Sequence, residues 1–391
     1  MKQLLAYCLS IILCVSFTGC MENYLDLYPE DKITSASFPE NESDIKLLLN
    51  GVYAQLREKE VYNQGLFGFG ITDGATPNAF NWGTDEVFNK LGAGRLSSSD
   101  GGVVTYRWKR CYEIISRANY LLACMDLVDL SEEAKAKYSG ETHFLRGLAY
   151  SVLAETYGGV PIILTNISTE EARSLKRASL EETWQQALDD YEVAITNLGV
   201  DAPEPGRATK GAALGMKMRA YLYQGKYKEV LSCVEQIDAL KKYGLFHSYE
   251  GLFDPANENN KEVLFDIQYI EGENSQGSYI DQYCGTGTGS WTRGSRYVPT
   301  DDLVAAYETI DGSPVDPENP YENRDPRLGF TAVLPGSYFL GYRFPNYLYP
   351  GGAFNHAGNR LKHLSTRKYR IQDESKLPPS GQSYINDIIL R

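Results

Sequence analysis

The chain has 391 residues, of which 42% are hydrophobic and 23% charged, and its 38 basic and 51 acidic residues give a formal net charge of −13. This length fits two or three domains or one large helical assembly, and the composition is that of an ordinary globular protein. The acidic balance argues against a nucleic-acid partner and against binding to anionic lipid through basic residues.

The N-terminus predicts an export signal that ends at a lipidated cysteine. One lysine precedes an apolar stretch over residues 4–17, which is shorter than the ~20 residues that span a bilayer as a helix. The Thr-Gly-Cys sequence ending at Cys20 resembles the bacterial lipobox, although Phe17 stands where that motif usually has leucine. We therefore predict a lipoprotein signal peptide over residues 1–19 and acylation of Cys20 by palmitate or a similar chain. An ordinary secretory signal is the alternative.

The other cysteines predict neither a redox motif nor a zinc site. Cys111 and Cys124 lie in one predicted helix, roughly 20 Å apart at ~1.5 Å rise per residue, so they do not pair with each other. The chain contains no CxxC motif. Buried thiols are expected at these two positions and at Cys233 and Cys284, with one disulfide among the four left open.

Hydrophobic residues recur at helical spacing through much of the first 242 residues. The predicted helices cover residues 41–57, 106–128, 132–157, 180–198 and 209–240. Asn41 or Ser43 can cap the first helix, and a Gly-Gly pair at 158–159 ends the third. Within 209–240 the residue types match a tetratricopeptide helix–turn–helix, with Gly225 in the turn. Stacked helical pairs are therefore expected, mainly in 41–57 and 105–242.

Two long segments lack this periodicity and are rich in glycine and aromatic residues. They cover residues 60–106 and 275–300, and long irregular segments in compact proteins are often functional. In the loop-rich part, 243–391, a short strand is expected over 262–269. A helix is expected to begin at Thr300.

Five sequence blocks occur in an order that resembles one family. They are FLRGLAYSVLAETYGGVPII (144–163), GRATKGAALGMKMRAYLYQGKY (206–227), NKEVLFDIQY (260–269), PTDDLVAAYE (299–308) and NRDPRLGFTAVLPG (323–336). Together they resemble the SusD/RagB family of Bacteroidetes outer-membrane lipoproteins. The resemblance implies a single SusD-like domain over residues 20–391. Its fold would be mainly α, a tetratricopeptide-like helical repeat bundle with long irregular loops and a few short strands.

The same resemblance implies a function and partners. Members are non-enzymatic glycan binders on the cell surface, and each caps a SusC-like TonB-dependent transporter. The expected partners are thus an oligosaccharide or polysaccharide, that transporter, and the outer membrane through the lipid anchor. In the family the chain runs on beyond the segment that ends here at Arg391. We therefore expect this sequence to be C-terminally truncated relative to its relatives, consistent with an apolar end that needs burial.

Sugar recognition needs flat apolar side chains for the pyranose ring and planar polar groups for its hydroxyls. Both irregular segments offer this mixture. The predicted ligand-binding residues are Asn78, Phe80, Asn81, Trp82, Tyr279, Gln282, Tyr283, Trp291 and Arg293. The alternative for the two tryptophans is that each anchors its loop on the helical body.

Other conspicuous residues have a structural interpretation. Trp108 and Trp184 fall at core spacing on predicted helices. In the NRDPRL sequence, the arginines at 324 and 327 and Asp325 are expected to hold a turn through backbone carbonyls and carboxylates.

Enzyme motifs are missing from the sequence. The four histidines have no metal-binding spacing, no G-x-S-x-G occurs, and the Gly-rich CGTGTGSW lacks a phosphate-loop lysine. No catalytic residue, metal site or cofactor is predicted, with a structural calcium ion left open. Two rival functions stay open: a tetratricopeptide scaffold that binds only protein and, with less support, a glycoside hydrolase.

Overall fold

The computed structural model describes residues 38–57, 73–81, 90–97, 99–271, 277–278, 297–339, 342–343, 364–368 and 383–391. The α-helices are α1 (Glu42–Ala54), α2 (Val103–Cys124), α3 (Glu132–Tyr157), α4 (Thr169–Ser174), α5 (Leu180–Asn197), α6 (Lys210–Tyr223), α7 (Tyr227–Ala239), α8 (Asp301–Ala306) and α9 (Pro326–Thr331). The β-strands are β1 (Ala79–Asn81), β2 (Phe265–Ile267), β3 (Tyr297–Pro299), β4 (Ala332–Val333), β5 (Tyr338–Phe339), β6 (Tyr342–Arg343), β7 (Ser365–Thr366) and β8 (Asp387–Leu390).

The helical body confirms the mainly α architecture predicted from the sequence. Helices adjacent in sequence pack on one another, α2 on α3, α5 on α6, and α6 on α7, while α3 packs extensively on α5. The core is one cluster that draws buried aliphatic and aromatic side chains from α1, α2, α3, α5 and α6. The helices that form this core bury apolar faces that would otherwise be exposed to water, which is the main source of stability in such a stack.

Helix α1 begins where its cap predicts. The Asn41 side chain accepts hydrogen bonds from the backbone N–H groups of Ser43 and Asp44, and the Asp44 carboxylate accepts from the N–H of Asn41. This capping box satisfies N–H groups that lack partners in the first helical turn. The helix then buries Ile45 and Leu49 completely.

A buried ion pair joins α3 to α5. The Arg146 guanidinium donates to both carboxylate oxygens of Asp190, with Nη2 to Oδ1 at 2.7 Å and Nε to Oδ2 at 3.0 Å. Its Nη1 also donates to Asn119 of α2 at 2.8 Å. Because every charge is matched by directed hydrogen bonds, the buried groups fix the relative placement of three helices.

Glycines allow the close approaches in this body. Gly158 ends α3 with a φ of +77°, and a Cβ on the next residue, Gly159, would lie 2.0 Å from the carbonyl oxygen of Ala178. Gly225 has a φ of +69° and makes the turn between α6 and α7, as the tetratricopeptide-like pattern predicts.

Four two-stranded antiparallel ladders decorate the described part of the chain. They pair β1 with β3, β2 with β8, β4 with β7 and β5 with β6. The predicted strand near 262–269 is β2, and the apolar C-terminal segment lies beside it as β8. Ile389 and Leu390 are buried there. The need for burial inferred from the sequence is therefore met by this pairing.

The tryptophans and cysteines that the structure describes behave as structural residues. Trp184 is buried, and Trp108 packs against the core within 5.2 Å of the Tyr157 ring. Cys111, Cys124 and Cys233 are buried free thiols. Burial raises the pKa of the Cys111 thiol to about 12, so this group stays protonated at neutral pH. Cys284 lies outside the described residues.

The NRDPRL sequence holds a turn, as expected, but it also begins a helix that the sequence did not predict. The Arg324 guanidinium donates to the carbonyls of Val304, Tyr307 and Pro320. Asp325 caps α9 and pairs with Arg327. Pro326 occupies the first turn of α9, a position that suits its missing N–H.

Candidate functional site

The two irregular segments predicted from the sequence meet in space. Strand β1 of the first segment pairs antiparallel with β3 of the second, with Ala79 opposite Pro299 and Phe80 opposite Val298. The two segments are more than 200 residues apart in the sequence, so the ladder is a long-range contact. The ladder fixes how the paired residues of the two segments are aligned with each other.

Thr300 holds this ladder to the helix that follows it. Its N–H donates to the carbonyl of Asn78 at 3.1 Å, and its hydroxyl donates to the carbonyl of Pro77. The same Oγ1 accepts the N–H of Leu303 at 3.1 Å and thereby caps α8. One threonine therefore completes a helix N-terminus and fixes the segment that carries the predicted site.

The structure places two of the predicted binding side chains on the surface. Asn78 is exposed, and the Phe80 side chain is 48% exposed although Val298 opposite it is buried. A half-exposed phenylalanine beside an exposed amide is the combination that sugar recognition needs. Asn81 lies in β1, one residue further along the ladder.

The other predicted binding residues lie outside the described residues. They are Trp82, Tyr279, Gln282, Tyr283, Trp291 and Arg293. Cys20 of the predicted lipid anchor and the signal peptide over 1–19 also lie outside them.

An aromatic and cationic cluster adjoins the ladder. Strand β3 lies beside β7, which is followed directly by Arg367 and Lys368. The Lys368 ammonium group donates to the Tyr249 hydroxyl at 2.9 Å and stands 4.1 Å from the centre of the Phe253 ring. Burial acts to raise the pKa of Tyr249, but the hydrogen bond and charge of Lys368 outweigh it and lower that pKa.

A cavity of about 260 Å³, here called the Phe330 cavity, opens beside this cluster. It is lined by Ser248, Glu250, Gly251, Phe253, Asp254, Phe330 and Arg367. Arg367 Nη2 donates to Glu250 at 2.9 Å, and Asp254 accepts the N–H of Ala256 at 2.9 Å. Sequence reasoning missed this cavity because its residues come from separate parts of the loop-rich region. The aromatic and acidic sequence SYEGLFD at 248–254 was the available signal.

A second cleft, of about 310 Å³, lies between the end of α1 and the turn at 204–207. The Tyr53 hydroxyl there donates to Glu141 at 2.7 Å, and the Arg207 guanidinium lies 4.8 Å from the centre of the Tyr53 ring. Burial and the Glu141 carboxylate raise the pKa of Tyr53 well above its usual value. Since these polar groups satisfy one another, we assign the network to stability and not to ligand binding.

Within the described ranges, no group of three His, Cys, Asp or Glu side chains is placed to hold a metal ion. None of the helices in that part of the chain combines the length and apolarity needed to cross a bilayer.

Comparison with known proteins decides the family. A family model described as "Starch-binding associating with outer membrane" matches residues 23–222, slightly more than half of the chain, and the SusD family model matches residues 261–384. The chain belongs to the SusD family. This confirms the resemblance drawn from the five sequence blocks.

Curated and solved SusD-like proteins agree with this assignment. SusD-like protein P25 of Formosa agariphila is 26% identical over 321 residues, which cover 76% of this chain and 58% of that protein. This chain thus spans little more than half of that relative's length. A SusD-like carbohydrate-binding protein of Bacteroides fragilis superposes with a TM-score of 0.76 at 26% identity, covering 88% of this chain and 70% of that one.

A second SusD-like protein of Bacteroides fragilis superposes with a TM-score of 0.77 at 25% identity. The superposition covers 93% of this chain and 75% of that one. The described part of the chain therefore has the SusD-like helical fold.

Proposed function

We propose that this SusD-family chain binds a glycan through the surface built on the β1–β3 ladder and passes it to a SusC-like TonB-dependent transporter. The observation that carries the proposal is the ladder itself. It joins two aromatic and amide-rich segments and presents Phe80 and Asn78 to solvent. The naming of a solved relative as a carbohydrate-binding protein supports the same function.

The proposal includes Trp82 and Trp291 as the main stacking residues. Both belong to the segments that the ladder joins, Trp82 directly after β1 and Trp291 shortly before β3. Asn78, Asn81, Gln282 and Arg293 would supply planar polar groups for hydroxyls, and Phe80, Tyr279 and Tyr283 further ring faces. Their role is binding without chemistry, so the protein has no catalytic residues and needs no cofactor.

The lipid anchor belongs to the same proposal. Acyl chains on Cys20 would tether the body to the outer membrane, facing the cell surface, after removal of residues 1–19. More than one acyl chain provides stable anchoring, so no membrane-spanning helix is required. Labelling of cells with a palmitate analogue tests this point. The protein with its original sequence should carry the label, and Cys20→Ser should not. Absence of the label from the protein with Cys20 in place would contradict the anchor.

Isothermal titration of the mature protein against a panel of polysaccharides tests the binding itself. We expect weak but saturable heat with at least one polysaccharide, because the ligand must later be released to the transporter. Trp82→Ala and Trp291→Ala should each reduce or abolish it. If the folded protein gave no binding heat with any polysaccharide of the panel, the proposal would be contradicted.

A protein-binding scaffold is the second candidate, and one observation favours it. The ends of α6 and α7 expose a group of large apolar side chains, formed by Leu222, Tyr223, Tyr227 and Leu231. Apolar groups of this kind often mark protein contacts. A pure scaffold would bind its partner and show no change in melting temperature with any sugar. The aromatic ladder segments, which a scaffold does not need, favour the glycan-binding function.

A hydrolase would release reducing ends from a bound glycan. The proposal predicts no such release over a long incubation. Its detection, with a purified protein free of contaminating activity, would overturn the non-enzymatic assignment.

A further inference from the structure

The Phe330 cavity is lined by the types of side chain that bind sugars. Its residues lie outside the two irregular segments, 60–106 and 275–300. Phe253 and Phe330 supply apolar ring surface, while Glu250, Asp254 and Arg367 supply acceptors and donors. A pyranose ring presents both an apolar face of C–H groups and a rim of hydroxyls. Each hydroxyl both donates and accepts, so it pairs well with carboxylates and guanidinium groups together.

Arg367 lines the cavity and is held by three contacts. Its Nη2 donates to Glu250, its Nη1 donates to the carbonyl of Gly329 at 3.3 Å, and its guanidinium lies over the Phe339 ring. The Nε atom is buried and has no hydrogen-bond partner among the described residues. These contacts hold the guanidinium at the cavity wall, so a ligand hydroxyl in the cavity would meet a donor group whose position is already fixed.

The charges around the cavity are balanced. Arg367 is paired with Glu250, and the Lys368 ammonium group acts on Asp73, where it lowers a carboxyl pKa that burial raises. The Arg391 guanidinium lies 5.0 Å from the Phe253 ring centre and donates to the carbonyl of Leu252 at 3.3 Å. A site without an excess of either sign suits a neutral ligand, and the chain's net charge of −13 disfavours polyanions.

The cavity is connected to the ladder through adjoining strands. Arg367 follows β7, β7 lies beside β3, and β3 pairs with β1, which carries Phe80. Helix α9, which carries Phe330, leads directly into β4, the partner of β7 in the neighbouring ladder. A volume of about 260 Å³ is below the ~300 Å³ at which pockets for drug-sized ligands begin, so it suits one sugar unit.

We propose that the Phe330 cavity is a second saccharide subsite, which takes one neutral, hydroxyl-rich sugar unit of the glycan whose neighbouring units contact the ladder. This inference rests on the proposed function. The subsite makes affinity depend on chain length, since only a glycan long enough to extend from Phe80 into the cavity contacts both. Linking two weak contacts in one ligand raises affinity without requiring either contact to be tight.

The test uses length series of neutral cello-, laminari- and xylo-oligosaccharides, titrated into the mature protein. Asp254→Asn keeps the oxygen that caps Ala256 and removes the charge, and Phe330→Leu keeps apolar volume without a ring. Their matched controls are Glu170→Gln and Tyr120→Leu, at exposed positions of α4 and α2. Thermal melting of each variant verifies that it is folded.

The unmodified protein should bind the longer members more tightly, by roughly tenfold, and both cavity variants should lose this gain while keeping their affinity for short members. The controls should keep the gain. Amide hydrogen exchange of residues 248–254 should slow when the longest ligand is added. The subsite alone would be overturned if both cavity variants kept the dependence of affinity on oligosaccharide length and if the amide hydrogen exchange of residues 248–254 did not change with ligand.

Two other outcomes are distinct from that one. If the unmodified protein binds no glycan in the polysaccharide panel, the proposed function and the subsite fail together. If polygalacturonate binds more tightly than every neutral ligand and competes for the same segment in hydrogen exchange, the assignment of a neutral sugar unit is wrong.

Discussion

Phe80 of β1 lies directly opposite Val298 of β3 in an antiparallel register. Val298 is buried while Phe80 is 48% exposed. At this pair, β3 therefore packs against the protein and β1 exposes its side chain to solvent. Residues directly opposite each other in such a ladder point to the same face of the sheet. The ring of Phe80 is therefore held at a defined place on the surface, which lowers the entropy cost of using it to bind.

Thr300 should be a positioning residue for this surface. Thr300→Val removes the hydroxyl that caps α8 and donates to Pro77, while it keeps the shape of the side chain. We expect a loss of about 1 kcal/mol in the free energy of unfolding, together with weaker glycan binding. Thr209→Val, which removes the similar cap of α6 far from the ladder in sequence, should cost stability and leave binding unchanged. Equal binding by both variants would contradict this role.

The Arg146–Asp190 pair should couple α3 to α5. Arg146→Met leaves the Asp190 carboxylate buried without its partner, and we expect a loss of roughly 3–5 kcal/mol in the free energy of unfolding. The double variant Arg146→Met/Asp190→Leu should lose clearly less than the sum of the single variants. Denaturant titrations of the full cycle measure this. Lys135→Ala, which breaks the exposed pair with Asp126, should change stability by less than about 1 kcal/mol.

Gly159 should tolerate no larger residue. A Cβ there would lie 2.0 Å from the Ala178 carbonyl oxygen and 2.7 Å from the backbone carbon of Ser179, and backbone atoms cannot move away as side chains do. We expect Gly159→Ala to lower the free energy of unfolding by about 1–3 kcal/mol or more. Gly101→Ala, where a Cβ would meet nothing within 4 Å, is the matched control. A Gly159→Ala protein as stable as the control would show that the α3–α4 connection is placed differently.

Glu258 should make the attachment of β8 sensitive to pH. Burial, with a smaller contribution from the Asp266 carboxylate, raises the pKa of Glu258 to about 7, although the N–H of Asn386 donates to it at 2.6 Å. Because this pKa is higher in the folded chain than in the unfolded chain, the contribution to stability is full below the unfolded value of about 4.5. It is lost as pH rises towards and through 7.

Glu258→Gln should remove this dependence. Relative to the variant, the unmodified protein should lose stability between pH 5 and about 8, as measured by denaturant titration at several pH values. Glu170→Gln, at an exposed position of α4, is the matched control and is measured at the same pH values. Parallel curves for the unmodified protein and Glu258→Gln would contradict the assignment.

The helical body was predictable from sequence because its signal is local. The stripe of Ile45, Leu49 and Val52 and the cap at Asn41 fix α1 within a few residues, and Gly225 fixes the α6–α7 turn for the same reason. The register of β1 against β3 was not predictable. Each strand is three residues long, and the pairing depends on contacts between distant parts of the chain.

The candidate site was predictable only in part, for a related reason. Residue type pointed to Asn78 and Phe80, and both are on the surface. The Phe330 cavity brings together residues near 250, 330 and 367, and no single window of sequence contains enough of them to indicate a site. Helix α9 was missed because Asp-Pro reads equally well as a turn and as a helix start.

The most direct test of glycan binding on the ladder is titration calorimetry of the unmodified protein and Phe80→Ala against a polysaccharide that binds. We expect saturable binding that weakens by roughly fivefold or more in Phe80→Ala, which corresponds to about 1 kcal/mol of lost ring contact. The control Tyr120→Ala, at an exposed position of α2, should leave binding unchanged. Identical isotherms for Phe80→Ala and the unmodified protein would contradict a binding surface on the β1–β3 ladder.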